Sequence, residues 1–394
     1  MEPLRILFFT SSLGVGGAEN HLLGLCRYLA GAGHSPSVCT LSRHEGGLEA
    51  VLVAEGIPLF RLPLDCLRRL AAPRIVSGLR RVIEASRPDV IHAHLYHAEI
   101  AAGFSSLFTR VPVVTTRHSA GLEFRGARAW IAGLLSRRFA ACIAVSEETA
   151  REAVSNGFPA RLVEVLPNAV DPDRFKPAPA AERGRRRAAL AASLFPGAPA
   201  RDVLLVGSAG GLKPVKNFPL LLRAASRLVG RPGAPEIRFV IFGEGGERRT
   251  LAALASELGL EARFALPGRR DDLEDIYPLL DIFVLPSSRE GVPLALLEAM
   301  SGGVACVASE VGGIPGVLSG AGVLVPPGDE DGFVAAIRRL VEDGDTRMEL
   351  GRLARVRVLE RYAVEIWGER MLAIYRAAAR PEGGGGAGSG TRKI

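Results

Sequence analysis

The chain has 394 residues, 48% hydrophobic and 23% charged, the balance of a soluble globular protein with room for two or three domains. Its 49 Lys and Arg against 42 acids leave a formal charge of +7, which admits nucleic acid, anionic lipid and phosphorylated substrates as partners. Aromatic residues are only 6% and no nucleic-acid motif is present, which sets nucleic acid aside, and no apolar run reaches the length of a bilayer span.

The opening residues, MEPLRILFFTSSLG, lack the basic start and cleavage site of a secretory signal. Five scattered Cys with no CxxC fit a reducing compartment, and the expected location is the cytoplasm. Strand-like runs follow at 5–10, 37–41, 57–62, 90–94, 111–116 and 142–146, with amphipathic stretches between them. The runs are almost continuously apolar, as parallel strands buried on both faces must be. The rhythm breaks at 176–200, a Pro-, Ala- and Arg-rich stretch that reads as a linker with one short basic helix. It restarts at 202–208, 237–243, 263–268, 282–286, 304–309 and 322–326. The expected fold is α/β: two Rossmann-like doubly wound domains, 1–175 and 201–364, facing each other across a cleft. A closing helix at 365–380 is expected to pack back on the first domain, and the Gly-rich tail 381–394 to be disordered.

Ligands of such sheets bind beyond the C-terminal ends of the strands, so the residues just after each strand carry the functional reading. After the first strand, Gly14, Gly16 and Gly17 precede a helix expected to start near Ala18. Such a turn lets backbone approach a phosphate at a helix N-terminus, or serves packing alone. His92, His94 and His97 cluster around the fourth strand, but no carboxylate or Cys stands at ligand spacing, so no metal is expected. His118 lies just past the fifth strand. In the second half, Lys213 and Lys216 follow Gly210 and Gly211 and are expected to enter a helix as a diphosphate clamp. Gly243, Gly245 and Gly246 form another glycine turn. In SSREGVPLALLEAM, Pro293 suits the first position of a helix. Glu290 then lies in the loop and Glu298 about one and a half turns inside the helix, too offset for a close acid pair. Two such acids suit the separated hydroxyls of one elongated ligand, such as the sugar and ribose of a nucleotide sugar.

The motifs GVGGAE (14–19), DVIHAH (89–94), TTRHS (115–119), LPNAVD (166–171), GGLKPVKN (210–217), GEG (243–245), DIFVLPSSREGVPLALLEAM (281–300) and VGGIP (311–315) occur in order over nearly the whole chain. In this the chain resembles the retaining glycosyltransferases of family 4, which have the GT-B fold. The resemblance implies transfer of a hexosyl unit from a nucleoside-diphosphate sugar, with retention, no metal and no bound cofactor. It places Glu298 on the ribose, Glu290 on the donor sugar hydroxyls, Lys216 on the diphosphate and His118 near the reacting centre. The turn at Gly16 and Gly17 would face donor phosphate and acceptor. Gly211, Lys213, Gly243, Gly291, Val292 and Leu294 would complete the donor site. The family usually has Arg where this chain has Gly211, with Lys213 a candidate replacement. Val292, Gly316 and Ala305 are milder departures.

The acceptor implied is a glycan or lipid-linked molecule of surface polysaccharide or glycolipid assembly. Two basic amphipathic stretches, 66–87 and 123–140, would suit peripheral contact with an anionic membrane, or would be ordinary solvated helices. Alternatives left open are a catalytically weak GT-B subunit, motivated by Gly211, and a GT-B nucleotide-sugar epimerase. A retaining glycosidase is disfavoured, since its two acids must stand about 5 Å apart.

Overall fold

The computed structural model describes residues 2–14, 16–41, 47–62, 72–118, 127–197, 203–230 and 235–380; the tail 381–394 and parts of both basic stretches lie outside them. Two parallel sheets organise the chain. The first contains β1 (Arg5–Thr10), β2 (Ser35–Thr40), β3 (Leu59–Arg61), β4 (Val90–His94), β5 (Val113–Arg117), β6 (Ala141–Ala144) and β7 (Val163–Val165) in the order β3-β2-β1-β4-β5-β6-β7. The second contains β8 (Val203–Ala209), β9 (Glu236–Phe242), β10 (Phe264–Gly268), β11 (Ile282–Leu285), β12 (Ala305–Ser309) and β13 (Val323–Val325) in the order β10-β9-β8-β11-β12-β13. Central strands β1, β4, β8 and β11 are almost wholly buried, which explains their largely apolar sequences, with His92 and His94 the buried polar exceptions in β4. β7 is a short, half-buried edge strand that the sequence pattern does not reveal.

The segment read as a linker is different in structure. A 15-residue helix, Ala180–Leu194, occupies most of it. Leu190, Ala191 and Phe195 join Val203, Tyr277 and Leu280 in the second domain's core. Its arginines look like a solvated face in sequence, yet Arg183 and Arg187 converge on the buried Asp281 at 3.1 and 3.0 Å. The helix is thus an integral wall of the second domain.

The chain crosses between the domains twice, and the crossings meet. Val170 donates to the Tyr362 carbonyl at 2.9 Å and accepts from the Val364 amide at 3.0 Å. Helix Val364–Ala379 then packs on the first domain, where Trp367, Met371 and Tyr375 share a core with Leu22, Leu25 and Leu29 of helix Gly17–Gly31. Burying a large apolar side chain of this kind is worth roughly 1.5–3 kcal/mol, enough to hold the two helices together.

Candidate active site

Strand order reverses between β1 and β4 in the first sheet and between β8 and β11 in the second. Each reversal opens a crevice at the C-terminal strand ends, because the following connections diverge to opposite faces. The segments after β1, β8 and β11 carry Gly16, Lys213, Lys216 and Glu290, and His94 is the last residue of β4.

On the second domain, GGLKPVKN leaves β8 as a turn, with a short 3-10 helix at Pro214–Lys216. Asn217 then adopts a left-handed φ of 49° before helix Phe218–Leu228 begins. The two lysines therefore precede the helix rather than enter it. Their stems lie over the glycines: a Cβ at Gly210 would be 3.3 Å from Lys216 Cε, and one at Gly211 would be 3.5 Å from Lys213 Cε. Lys213 is exposed. Lys216 Nζ reaches Glu290 Oε1 at 2.7 Å, and Ser287 Oγ donates to the same oxygen at 2.7 Å. The two residues assigned by resemblance to diphosphate and sugar are thus each other's partners in this structure. Gly243 and Gly245, with φ of 151° and 156°, allow the turn after β9 to press on the Gly210 and Leu212 backbone, where any Cβ would collide. Their visible role is this close backbone contact.

Helix Leu294–Ser301 starts one residue later than expected, with Pro293 as its N-cap in an extended conformation. Glu298 stands in its middle, its carboxyl enclosed although the residue as a whole is only half-buried. Desolvation pushes that carboxyl up to about 7; the neighbouring Tyr277 hydroxyl and Arg174 charge oppose the shift. The Tyr277 hydroxyl acts on this charge but makes no well-formed hydrogen bond among the described residues.

On the first domain, Gly16 caps helix Gly17–Gly31, and Glu19 folds back over it to accept from Ser12 Oγ at 3.0 Å. The chain's own carboxylate thus lies against this helix N-terminus. His94 Nδ1 meets His118 Nε2 at 2.9 Å, and the two rings stack. His92 is bound by Tyr375 Oη at 2.6 Å and Thr116 Oγ1 at 2.7 Å. His97 does not belong to this cluster. The backbone turns sharply at Leu95, φ 69°, and leaves the His97 side chain exposed on the next helix. His21 takes its place, edge-on to both His118 and Trp367. Desolvation pushes His118 down to about 4 and His92 to about 3, and holds His21 and His94 low as well. All four rings are neutral at neutral pH.

The two walls touch at a glycine. A Cβ at Gly291 would strike the His118 carbonyl oxygen, and one at Gly313 would press on Ser146 at 3.0 Å. Next to this contact, Asn168 Nδ2 donates to the Val292 carbonyl at 2.6 Å. Leu294 begins the helix behind it.

Two doubly wound domains with facing switch-point crevices define a GT-B protein, and the comparisons agree. Residues 15–174 match the model described as Glycosyltransferase Family 4, and residues 195–357 match Glycosyl transferases group 1. The chain belongs to the family-4 glycosyltransferases, enzymes that use a nucleotide sugar. It is 29% identical over 398 residues to a D-inositol 3-phosphate glycosyltransferase of Saccharomonospora viridis, covering 92% of this chain and 89% of that one. It is 27% identical to the Escherichia coli UDP-Gal:alpha-D-GlcNAc-diphosphoundecaprenol alpha-1,3-galactosyltransferase, covering 73% and 76% respectively. Its fold matches the Anabaena protein Alr3699/HepE, solved in complex with UDP-glucose, at a TM-score of 0.80 and 22% identity, over 95% of this chain and all of that one.

Proposed function

We propose that the enzyme moves a hexosyl unit from a nucleoside-diphosphate sugar to a glycan or lipid-linked acceptor, with retention and without a metal, in surface polysaccharide or glycolipid assembly. The observation that carries this reading is the Lys216–Glu290 pair at the second crevice, with Lys213 beside it and Glu298 in the adjoining helix. An arriving diphosphate competes for Lys216, which frees Glu290 to accept hydrogen bonds from sugar hydroxyls. Ser287 keeps the Glu290 carboxylate in place as its partner changes. The lysines stabilise negative charge on the departing nucleotide. His118, neutral and bound to His94, offers hydrogen bonds but no fixed charge. Attack by the acceptor on the face that the leaving group vacates then needs no enzyme nucleophile.

Two features favour an acceptor at a membrane surface. Trp130 and Leu134, one turn apart on helix Ala127–Ser136, are 70% and 52% exposed. Phe108 is also exposed, two residues beyond Ser106, whose carbonyl accepts from the Arg138 guanidinium at 3.2 Å. Aromatic rings with adjacent cations suit the headgroup layer of an anionic bilayer. Among the described residues, no helix is long and apolar enough to cross a membrane. The E. coli relative named for a diphosphoundecaprenol acceptor supports the lipid-linked choice.

The test is turnover of a donor panel with lipid-linked and free acceptors, with and without EDTA, reading the product's anomeric configuration by NMR. Retention in EDTA supports the reading, and inversion or a divalent requirement opposes it. Gly211 keeps a second reading in view, a subunit with weak turnover of its own, which hydrolysis or transfer at ordinary rates would remove.

A further inference from the structure

The segment LPNAVD carries the chain out of the first domain, and Asn168 is its buried polar side chain, 5% exposed. A backbone carbonyl only accepts hydrogen bonds, so the amide group facing Val292 must be the NH2, and the 2.6 Å contact is a true hydrogen bond. The other amide atom, Oδ1, is buried without a partner among the described residues. So is Nε2 of the neighbouring His21, whose ring the Asn168 amide influences. One Asn therefore stands between the first domain's histidine cluster and the second domain's 290–292 loop.

That loop is held from several sides. Glu290 is fixed by Ser287 and Lys216, both in the second domain. The Gly291 carbonyl accepts from the Gly313 amide at 2.8 Å, also in the second domain. Gly291 itself abuts the His118 carbonyl, a steric contact with no hydrogen bond joining the two among the described residues. The Asn168–Val292 bond supplies what that contact lacks, a directional tie at the next residue.

We propose that Asn168 is a positioning residue whose amide registers the Glu290 loop against the His118 carbonyl, fixing the donor sugar relative to the acceptor domain. This rests on the donor-site reading above. The nucleotide itself would be held by Lys216 and Glu298, within the second domain, so nucleotide binding does not require Asn168.

The test uses the full chain with Asn168→Ala and the near-isosteric Asn168→Asp, which keeps the volume but offers a carboxylate to the Val292 carbonyl. Hydrogen–deuterium exchange without ligand is expected to quicken about tenfold in 286–294 for both variants, with the central strands unchanged, as loss of one buried hydrogen bond allows. Calorimetric affinity for UDP is expected to stay within about twofold, while kcat falls about tenfold or more. Exchange and kcat at the wild-type level in both variants would overturn the proposal. So would a loss of UDP affinity parallel to that of kcat, the mark of general structural damage. If wild type bound no UDP and no nucleotide sugar, the donor-site reading would fail separately, and the exchange data would still decide whether Asn168 ties the loop.

Discussion

Glu298→Gln isolates one charge while keeping the shape of the residue expected at the ribose. Desolvation lifts the native carboxyl from an ordinary 4.5 to about 7. That displacement corresponds to roughly 3 kcal/mol held against ionisation. Native Glu298 thus keeps a proton between about pH 4.5 and 7 that the unfolded chain has released. Its contribution to stability is full below pH 4.5 and lost as pH rises through 7. The Gln variant is neutral throughout, so it should equal wild type in acid and exceed it at pH 8 by about 1–3 kcal/mol in denaturant titrations. Nucleotide binding should run the other way. Ribose hydroxyls donate best to a charged carboxylate, so binding ionises Glu298. At pH 7 wild type should release about half a proton per UDP, seen as a dependence of calorimetric heat on buffer ionisation enthalpy. Its affinity should fall about tenfold per pH unit below 7, whereas the Gln variant releases no proton and binds about tenfold more weakly. UDP binding without proton release in wild type, or unchanged affinity in the variant, would refute the ribose role.

Gly211→Arg should fit, since a Cβ there meets only the Lys213 stem at 3.5 Å and no left-handed φ is involved. Donor affinity should rise about three- to tenfold, and Lys213→Ala should lower it by a similar factor; wild-type kinetics in both would mean that this turn does not hold the diphosphate. Initial rates should survive EDTA, and a loss rescued by a divalent ion would overturn the metal-free mechanism. The four buried histidines have depressed basicity, so they are neutral when folded but protonated in the unfolded chain below about pH 6.5. Stability should therefore drop as pH falls from 6.5 toward 4, by up to about 1.4 kcal/mol per pH unit for each ring, with Glu298 opposing as a single proton. His94→Gln should make that slope shallower by one ring, and an unchanged slope would mean His94 titrates normally.

What could be read in the sequence follows from how local each signal is. β1, β4, β8 and β11 are buried on both faces, so runs with few exposed polar residues mark them, although β4 carries two buried histidines. Glu290 and Glu298 were separable because Pro293 fixes where the helix begins, within one residue. β7 carries no such pattern, being three half-buried residues at an edge. A short basic helix was expected within 176–200, but its place in the second domain's core was not legible, because the partners of its arginines, Asp281 and the Pro278 and Leu280 carbonyls, lie about a hundred residues away. His21 had no local signal either, since its surroundings are made by Trp367 and His118, on distant elements. Ser287 could have been found, because its hydroxyl sits three residues before the carboxylate it holds.

The most direct test of the donor site is a thermal-shift screen of the purified full chain against nucleoside-diphosphate sugars and the bare nucleotides, run beside Lys216→Ala. A ligand bound only by the native state raises the melting temperature by mass action. A selective rise with one nucleotide sugar in wild type, lost in Lys216→Ala, is the predicted result. An equal rise in both proteins, or none with any donor, would contradict a nucleotide-sugar site built on Lys216, Glu290 and Glu298.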